Sequence, residues 1–299
     1  MNTREPFSHS AKANTEKSEK TKNTGKLEEI FSKNSTFQKF EVLKANRNKR
    51  HRYGEFIVEG VRNINEAIKN NWHIKSFIYP RKRELSNWAK ENLQLSSGKN
   101  YAITDELMAE LSNRSEPSEL LAILDMTPPM RDSGGSTNST QFSPTIVLFD
   151  RPSNKGNLGT MLRSCDAFGI EQLILTGHGV DIYEPEVIQA SMGSFFKIPF
   201  MRLDDKGEIE GYITKLREEY PEIAIIATAE NSGQAIYNLQ LTKPLLIMLG
   251  NEKDGLNRHL LSLCDYIAEI PMTENKAASS LNVSCAATVV FYEILRQRM

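Results

Sequence analysis

In the second half of the chain, short unbroken apolar runs alternate with stretches of helical periodicity. The runs fall at 146–149, 173–176, 223–229, 245–249 and 266–270. Runs of this length, rich in Ile, Leu and Val, are what strands buried on both faces require. Helical patterns lie between them at 158–168 and 208–220, and another follows the last run at 281–298. The alternation predicts an α/β domain with a mostly parallel sheet covered by helices, over residues 145–299.

Upstream the pattern is shorter-ranged. Residues 1–36 are polar and aperiodic, which predicts a disordered tail. From Phe37 onward, Phe40, Val42 and Leu43 suggest a short amphipathic helix. Strands are then expected at 55–59, 74–79, 101–103 and 120–124, with helices at 61–71, 82–93 and 105–111. Residues 37–126 thus read as a small α/β sandwich. A Pro/Gly/Ser/Thr stretch at 127–144 has the composition of a flexible linker.

Composition adds limits rather than a function. Of the 299 residues, 39% are hydrophobic and 25% charged, the mixture of a globular protein. No apolar run reaches the ~20 residues of a membrane-spanning helix, and no apolar leader opens the chain. Cys165, Cys264 and Cys285 are widely spaced, which argues against a disulfide framework and a zinc site and for a cytoplasmic location. The histidines lack ligand spacing, so no metal is expected. Net charge is −1, yet residues 1–60 hold 13 Lys/Arg against 8 Asp/Glu. Between Lys39 and Arg52, six basic residues, among them Arg47, Lys49, Arg50 and Arg52, face one acid. That cluster is either a solvated helix face or a patch that tracks phosphates.

Parallel sheets bind ligands beyond the carboxyl ends of their strands. The loops there, at 150–157, 177–181, 250–255 and 271–280, are mostly rich in Gly, Asn and small polar residues. Residues 250–255 have the glycine spacing of a phosphate-binding loop, but Leu256-Asn257 replaces the Lys-Ser/Thr that such a loop needs. No GxGxxG follows the first strand of this domain. In DRPSNKGNLGTMLRSCDAFG (150–169), Leu158, Met161, Leu162, Cys165 and Phe168 form one apolar stripe. Arg163 lies off that stripe, and Asn157 is placed as an N-cap. A cap and a solvated arginine would suffice to explain this stretch alone.

Three segments in order carry more. They are Asn157-Leu158-Gly159 with Arg163, Leu249-Gly250-Asn251-Glu252-Lys253-Asp254-Gly255-Leu256, and Ile270-Pro271-Met272 followed by Ser280-Leu281-Asn282-Val283-Ser284. Together they resemble the three signature motifs of the SpoU/TrmH-like branch of the SPOUT RNA 2′-O-ribose methyltransferases. The resemblance implies a deep trefoil-knotted C-terminal domain, a rare exception to unknotted topology. It also implies an L30e-like N-terminal domain for the RNA substrate, S-adenosylmethionine as methyl donor, and a homodimer. RNA, ribosomal or transfer, would be the partner, and the two-domain layout leans towards ribosomal. A catalytically silent RNA-binding protein on the same fold is the alternative.

Carried onto this chain, the resemblance assigns Gly250, Ile270 and Leu281, with neighbouring Leu249 and Met272, to the cofactor. It gives Arg163 the central catalytic position, as base or as electrostatic stabiliser of the developing alkoxide. Guanidinium basicity favours the second. Asn157 would orient Arg163 or the ribose, and Glu252 would fix that arginine across the dimer. Ser280 and Asn282 would stand near the reacting ribose, or simply cap a helix. Arg298 would lie near RNA phosphate, or favour the helix dipole. Glu186 and Gln189 occupy positions where the family pattern leads one to expect basic residues, and 276–280 is longer than the pattern.

Overall fold

The computed structural model describes residues 26–128, 143–230, 232–274, 277–278 and 280–299. Most of the expected linker and residues 1–25 of the expected tail lie outside them. Two sheets carry the two halves of the chain. The first half comprises β1 (Leu27–Ile30), α1 (Ser35–Ala45), α2 (Arg47–Tyr53), β2 (Glu55–Glu59) and α3 (Val61–Lys69). It continues with β3 (Ile74–Pro80), α4 (Asn87–Asn92), β4 (Asn100–Ile103), α5 (Asp105–Leu111) and β5 (Leu121–Asp125). The strand order is β1-β4-β3-β5-β2.

The end of the expected tail is therefore ordered. Leu27–Ile30 pairs in parallel with Asn100–Ile103, and Ile30 is buried. A four-residue edge strand needs only one inward apolar side chain, which leaves no readable periodicity. The basic helix is also two helices. Asn46 ends α1 in an extended conformation and caps α2 by accepting from Lys49 N at 3.0 Å. That break turns the apolar face of α1 (Phe37, Phe40, Leu43) and the basic α2 in different directions.

The second half comprises β6 (Thr145–Asp150), α6 (Lys155–Ala167), β7 (Gln172–Thr176), α7 (Pro185–Ser191), β8 (Phe200–Leu203) and α8 (Lys206–Glu219). Then follow β9 (Ala224–Thr228), β10 (Leu245–Leu249), α9 (Arg258–Ser262), β11 (Tyr266–Ala268) and α10 (Val283–Arg298). All six strands are parallel, in the order β11-β9-β10-β6-β7-β8. The central strands β6 and β10 are wholly buried, as their unbroken apolar runs require. Strand β8 was not legible because it is an edge strand with a single fully buried residue, Leu203. Helix α7, two turns long, is too short for periodicity to show.

One apolar cluster runs through both halves. Phe56 and Trp72 of the first pack edge-on against Phe195 and Phe196 of the second, and Tyr183 joins them. The Trp72 indole donates to Phe196 O at 3.0 Å, and the Tyr183 hydroxyl donates to Met126 O at 2.7 Å. Buried aromatic polar groups with partners of this kind fix orientation as well as burying area. Among the described residues no helix is long and apolar enough to cross a membrane.

Candidate active site

The carboxyl ends of β6, β10 and β11 lie on one edge of the sheet, and their loops carry the three sequence motifs. Helix α6 begins earlier than the sequence suggests. Its cap is Asn154, which accepts from Asn157 N at 3.0 Å, so Asn157 is inside the first turn and its amide is free for other work. Two oxygens of Glu252 then close over that turn. Oε2 accepts from Ser153 N at 3.0 Å and Ser153 Oγ at 2.6 Å; Oε1 accepts from Asn154 N at 3.3 Å and Asn157 Nδ2 at 3.1 Å. A carboxylate at a helix N-terminus also meets the positive end of the dipole. Burial pushes the Glu252 pKa up, but the hydrogen bonds from Ser153 and Asn157 outweigh it, and the net shift is downward.

The same amide reaches the third motif. Asn157 Oδ1 accepts from Asn282 Nδ2 at 2.9 Å, and Asn282 Oδ1 in turn accepts from Ser284 N at 2.9 Å, capping α10. Ser284 Oγ donates to Asn157 O at 3.2 Å. Glu252, Asn157 and Asn282 thus form one hydrogen-bonded line across three loops that are about 95 and 125 positions apart. Each amide has a single orientation that satisfies both neighbours. Asn282 is both cap and bridge, so the two readings of that residue are compatible.

Arg163 is exposed, six residues along α6 from Asn157 or about 9 Å along the axis. Glu252 does not hold it within the chain, since both carboxylate oxygens are engaged. Ser280 is exposed, and among the described residues no side-chain hydrogen bond ties it to the line.

Of the cofactor candidates, Leu249 is fully buried and ends β10. A Cβ on Gly250 would lie 2.2 Å from Leu256 N, so only glycine lets the loop 250–256 close on itself. Ile270 and Met272 are half-buried, and Leu281 is 39% exposed. Strand β9 separates β10 from β11, which places Gly250 and Ile270 roughly 10 Å apart along the edge. Apolar side chains and strand-end backbone groups across such a gap fit a flat, largely uncharged heterocycle better than a phosphate. Thr228 and Ala229, at the end of the intervening strand, were not singled out from sequence; Ala229 N donates to Ala268 O at 3.0 Å.

Asp150 and Arg151 open the 150–157 loop, and the sequence assigns them no individual role. Asp150 is 1% exposed. It accepts from Thr176 Oγ1 at 2.6 Å, Asn257 N at 3.2 Å and Arg151 Nη2 at 3.0 Å, joining β7 and the loop after β10. Arg151 adopts φ +47°, and its carbonyl accepts from Asn251 Nδ2 at 2.6 Å. A carboxylate closing a continuous apolar strand was the available signal.

The basic residues divide into two groups. Lys49 is half-exposed and Arg52 exposed. Arg47 donates to Gly179 O at 3.0 Å. Arg50 is 0% exposed and paired with Asp181 and Glu184, so it cannot meet RNA directly. Arg298 is likewise spent internally. Its guanidinium donates to Leu241 O at 3.0 Å, Ser143 O at 2.7 Å, Thr145 Oγ1 at 2.9 Å and Lys243 O at 2.8 Å. Geometry makes it a clamp between the end of α10 and the start of the sheet. Glu186 and Gln189 are exposed on α7, and Glu186 pairs with Lys155 at 3.1 Å. Among the described residues no group of His, Cys, Asp and Glu could hold a metal ion.

Comparison with known proteins agrees with this layout. Residues 144–292 match the SpoU rRNA Methylase family, and residues 34–122 match the SpoU L30e-like domain. A 23S rRNA (uridine(2479)-2'-O)-methyltransferase of Streptomyces viridochromogenes is 38% identical over 90% of this chain and 92% of its own length. The crystal structure of the SpoU methyltransferase AviRb from Streptomyces viridochromogenes, in complex with AdoMet, superimposes with a TM-score of 0.80, covering 89% of this chain and 98% of that one. An AdoMet-bound rRNA methyltransferase from Sinorhizobium meliloti, 26% identical, gives 0.76 over 92% of this chain and 100% of its own. With three motif loops meeting in one hydrogen-bonded line and a relative of this identity along nearly its whole length, the chain belongs to the SpoU rRNA methylase family.

Proposed function

We propose that this protein is an S-adenosylmethionine-dependent RNA 2′-O-ribose methyltransferase that acts on 23S ribosomal RNA in the cytoplasm. The observation that carries the reading is the Glu252–Asn157–Asn282 line, which organises the strand-end loops at the start of α6, the helix that carries the exposed Arg163; among the described residues that side chain has no hydrogen bond or ion pair. The names of the relatives from Streptomyces viridochromogenes and Bacillus subtilis, both 23S rRNA 2′-O-methyltransferases, support the substrate.

Leu249–Gly250, Ile270–Met272 and Leu281 would hold the cofactor through backbone groups and apolar contact. When bound, S-adenosylmethionine supplies a methyl group already activated by its sulfonium. What remains for the chain is to align a ribose 2′-hydroxyl with that methyl and to favour loss of its proton. The Arg163 guanidinium stabilises the oxygen as negative charge builds on it, and the hydroxyl proton passes to solvent water at this exposed rim. Asn157 and Asn282 fix the rim of the site, and half-exposed Lys49 and exposed Arg52 meet the RNA backbone.

A homodimer is part of the proposal, as is the trefoil knot in the C-terminal domain. Helix α10 buries Ala287, Val290, Phe291 and Ile294 but leaves Val289 at 41% and Tyr292 at 56% exposure on another face. A second copy would cover that face and bring another chain's residues towards Arg163. Sedimentation equilibrium should show a dimer that Val289→Glu converts to monomer.

Labelled methyl transfer to bulk ribosomal RNA, followed by alkaline hydrolysis, tests the activity. A 2′-O-methyl group leaves one linkage resistant to cleavage. Intact cofactor binding without a resistant linkage would refute the reading and favour a catalytically silent RNA-binding protein.

A further inference from the structure

Among the described residues Arg50 is the largest fully buried side chain, and it sits between the two halves of the chain. All its N–H groups are engaged. Nε donates to Asp181 Oδ2 at 2.9 Å, Nη1 to Leu43 O and Lys44 O at 3.1 Å each, and Nη2 meets Asp181 Oδ2 at 2.8 Å and Glu184 Oε1 at 2.5 Å. Glu184 has a second partner. Its Oε2 lies 3.5 Å from Lys155 Nζ, on the first residue of α6. Lys155 follows Asn154, whose amide Glu252 holds, and precedes Asn157 by two positions.

A second contact carries the same path. Glu184 opens α7, and α7 packs on α6 so closely that a Cβ on Gly159 would lie 2.4 Å from Ala190 Cβ and 2.6 Å from Val187 O. A movement at Glu184 therefore cannot be absorbed between the two helices. On the other side, α2 is short, capped at both ends, and carries Arg50 on its buried face with Lys49 and Arg52 towards solvent.

Stability alone does not account for this arrangement. Buried ion pairs commonly gain nothing over apolar residues of the same volume, because desolvation offsets the attraction. The aromatic cluster already holds the halves together, but hydrophobic contact is non-directional and does not fix an angle. A guanidinium fork with two carboxylates does.

We infer that Arg50, Asp181 and Glu184 act as positioning residues, setting the orientation of the RNA-facing helix α2 relative to the catalytic helix α6. RNA gripped by the exposed face of α2 is thereby delivered at a fixed angle to α6, whose first turn carries Asn157 and whose exposed surface further along carries Arg163. The inference rests on the proposed methyltransferase activity for its substrate. Its geometry does not depend on that activity.

The test uses the full chain with Glu184→Gln and Arg50→Lys, measuring single-turnover methyl transfer on 23S rRNA. The comparison substrate is the shortest fragment around the mapped site that is still methylated. Both variants should transfer about tenfold more slowly to 23S rRNA, within the ~100-fold that a 1 Å misplacement can cost. Rates on the short fragment, which does not reach α2, should be unchanged, as should affinity for S-adenosylmethionine. Equal slowing on both RNAs, or a lowered melting temperature with no slowing, would overturn the inference and leave a merely structural bridge. If Arg50→Lys does not fold, Glu184→Gln decides alone. If the wild type methylates neither RNA, the activity is what fails, and amide hydrogen exchange decides the inference. In Glu184→Gln, α2 and the first turn of α6 should lose protection together; loss confined to the start of α7, or absent, overturns it.

Discussion

Replacing Glu252 by Gln removes one charge and converts one acceptor into a donor, with little change in volume. If the Gln oxygen takes the place of Oε2, it keeps the two Ser153 bonds. Its NH2 then faces two donors, Asn154 N and Asn157 Nδ2. Asn157 can respond only by flipping, which turns its NH2 towards the NH2 of Asn282, now 2.9 Å from its oxygen. Asn282 can flip as well only by giving up the Ser284 cap. Every route leaves at least one donor facing a donor. Hydrogen bonds to a charged group contribute ~1.5–3 kcal/mol, and the helix-dipole contribution adds ~0.3–1 kcal/mol. Their partial loss in this half-buried setting should destabilise the domain by about 2 kcal/mol at pH 7. Because folding depresses the Glu252 pKa, the wild-type carboxylate adds stability above its unfolded value, ~4.3, and that part fades as pH falls through the folded value. Urea unfolding of wild type and Glu252→Gln between pH 7 and pH 3 checks this. The gap between the two should narrow below about pH 4.5. A gap that is absent at pH 7, or equally wide at pH 3, would refute the charge-based account of the line.

Arg163→Ala should lower methyl transfer by about 10²–10³ while leaving the melting temperature unchanged, because the side chain is exposed; kinetics and calorimetry on one preparation check both. Arg298→Met leaves four acceptors without their donor and should cost about 3 kcal/mol in chemical denaturation, with RNA affinity of the folded protein unchanged. Removing Lys49 and Arg52 together, both →Ala, should reduce the slope of log affinity against log salt by about two without changing stability, read by filter binding from low to high salt. Trp72→Phe loses the bond to Phe196 O and part of the aromatic contact between the halves, and should lower the unfolding free energy by about 2 kcal/mol.

Much of this protein was determined by its sequence. Unbroken apolar runs sufficed for β6 and β10, because a strand covered on both faces must be apolar at every position. Three short motifs in order sufficed for the family. Local rules failed where local signals are weakest. Strand β1 has one buried residue, β8 is an edge strand, and α7 is two turns long.

Only the tertiary structure could divide the charged residues. In sequence, Lys49, Arg50 and Arg52 are one basic cluster. In the fold, Arg50 is buried against two carboxylates more than 130 positions away, while Lys49 and Arg52 stay accessible. Arg298 is equally ambiguous until carbonyls from 143, 241 and 243 are seen around it. Asn157 illustrates the reason best. Helix propensity makes it a cap, but Asn154 takes that role and releases its amide to join Glu252 and Asn282. Backbone preference and burial are encoded over a few neighbouring residues. The choice of partner for a polar side chain is made by whichever distant group the fold brings within 3 Å of it.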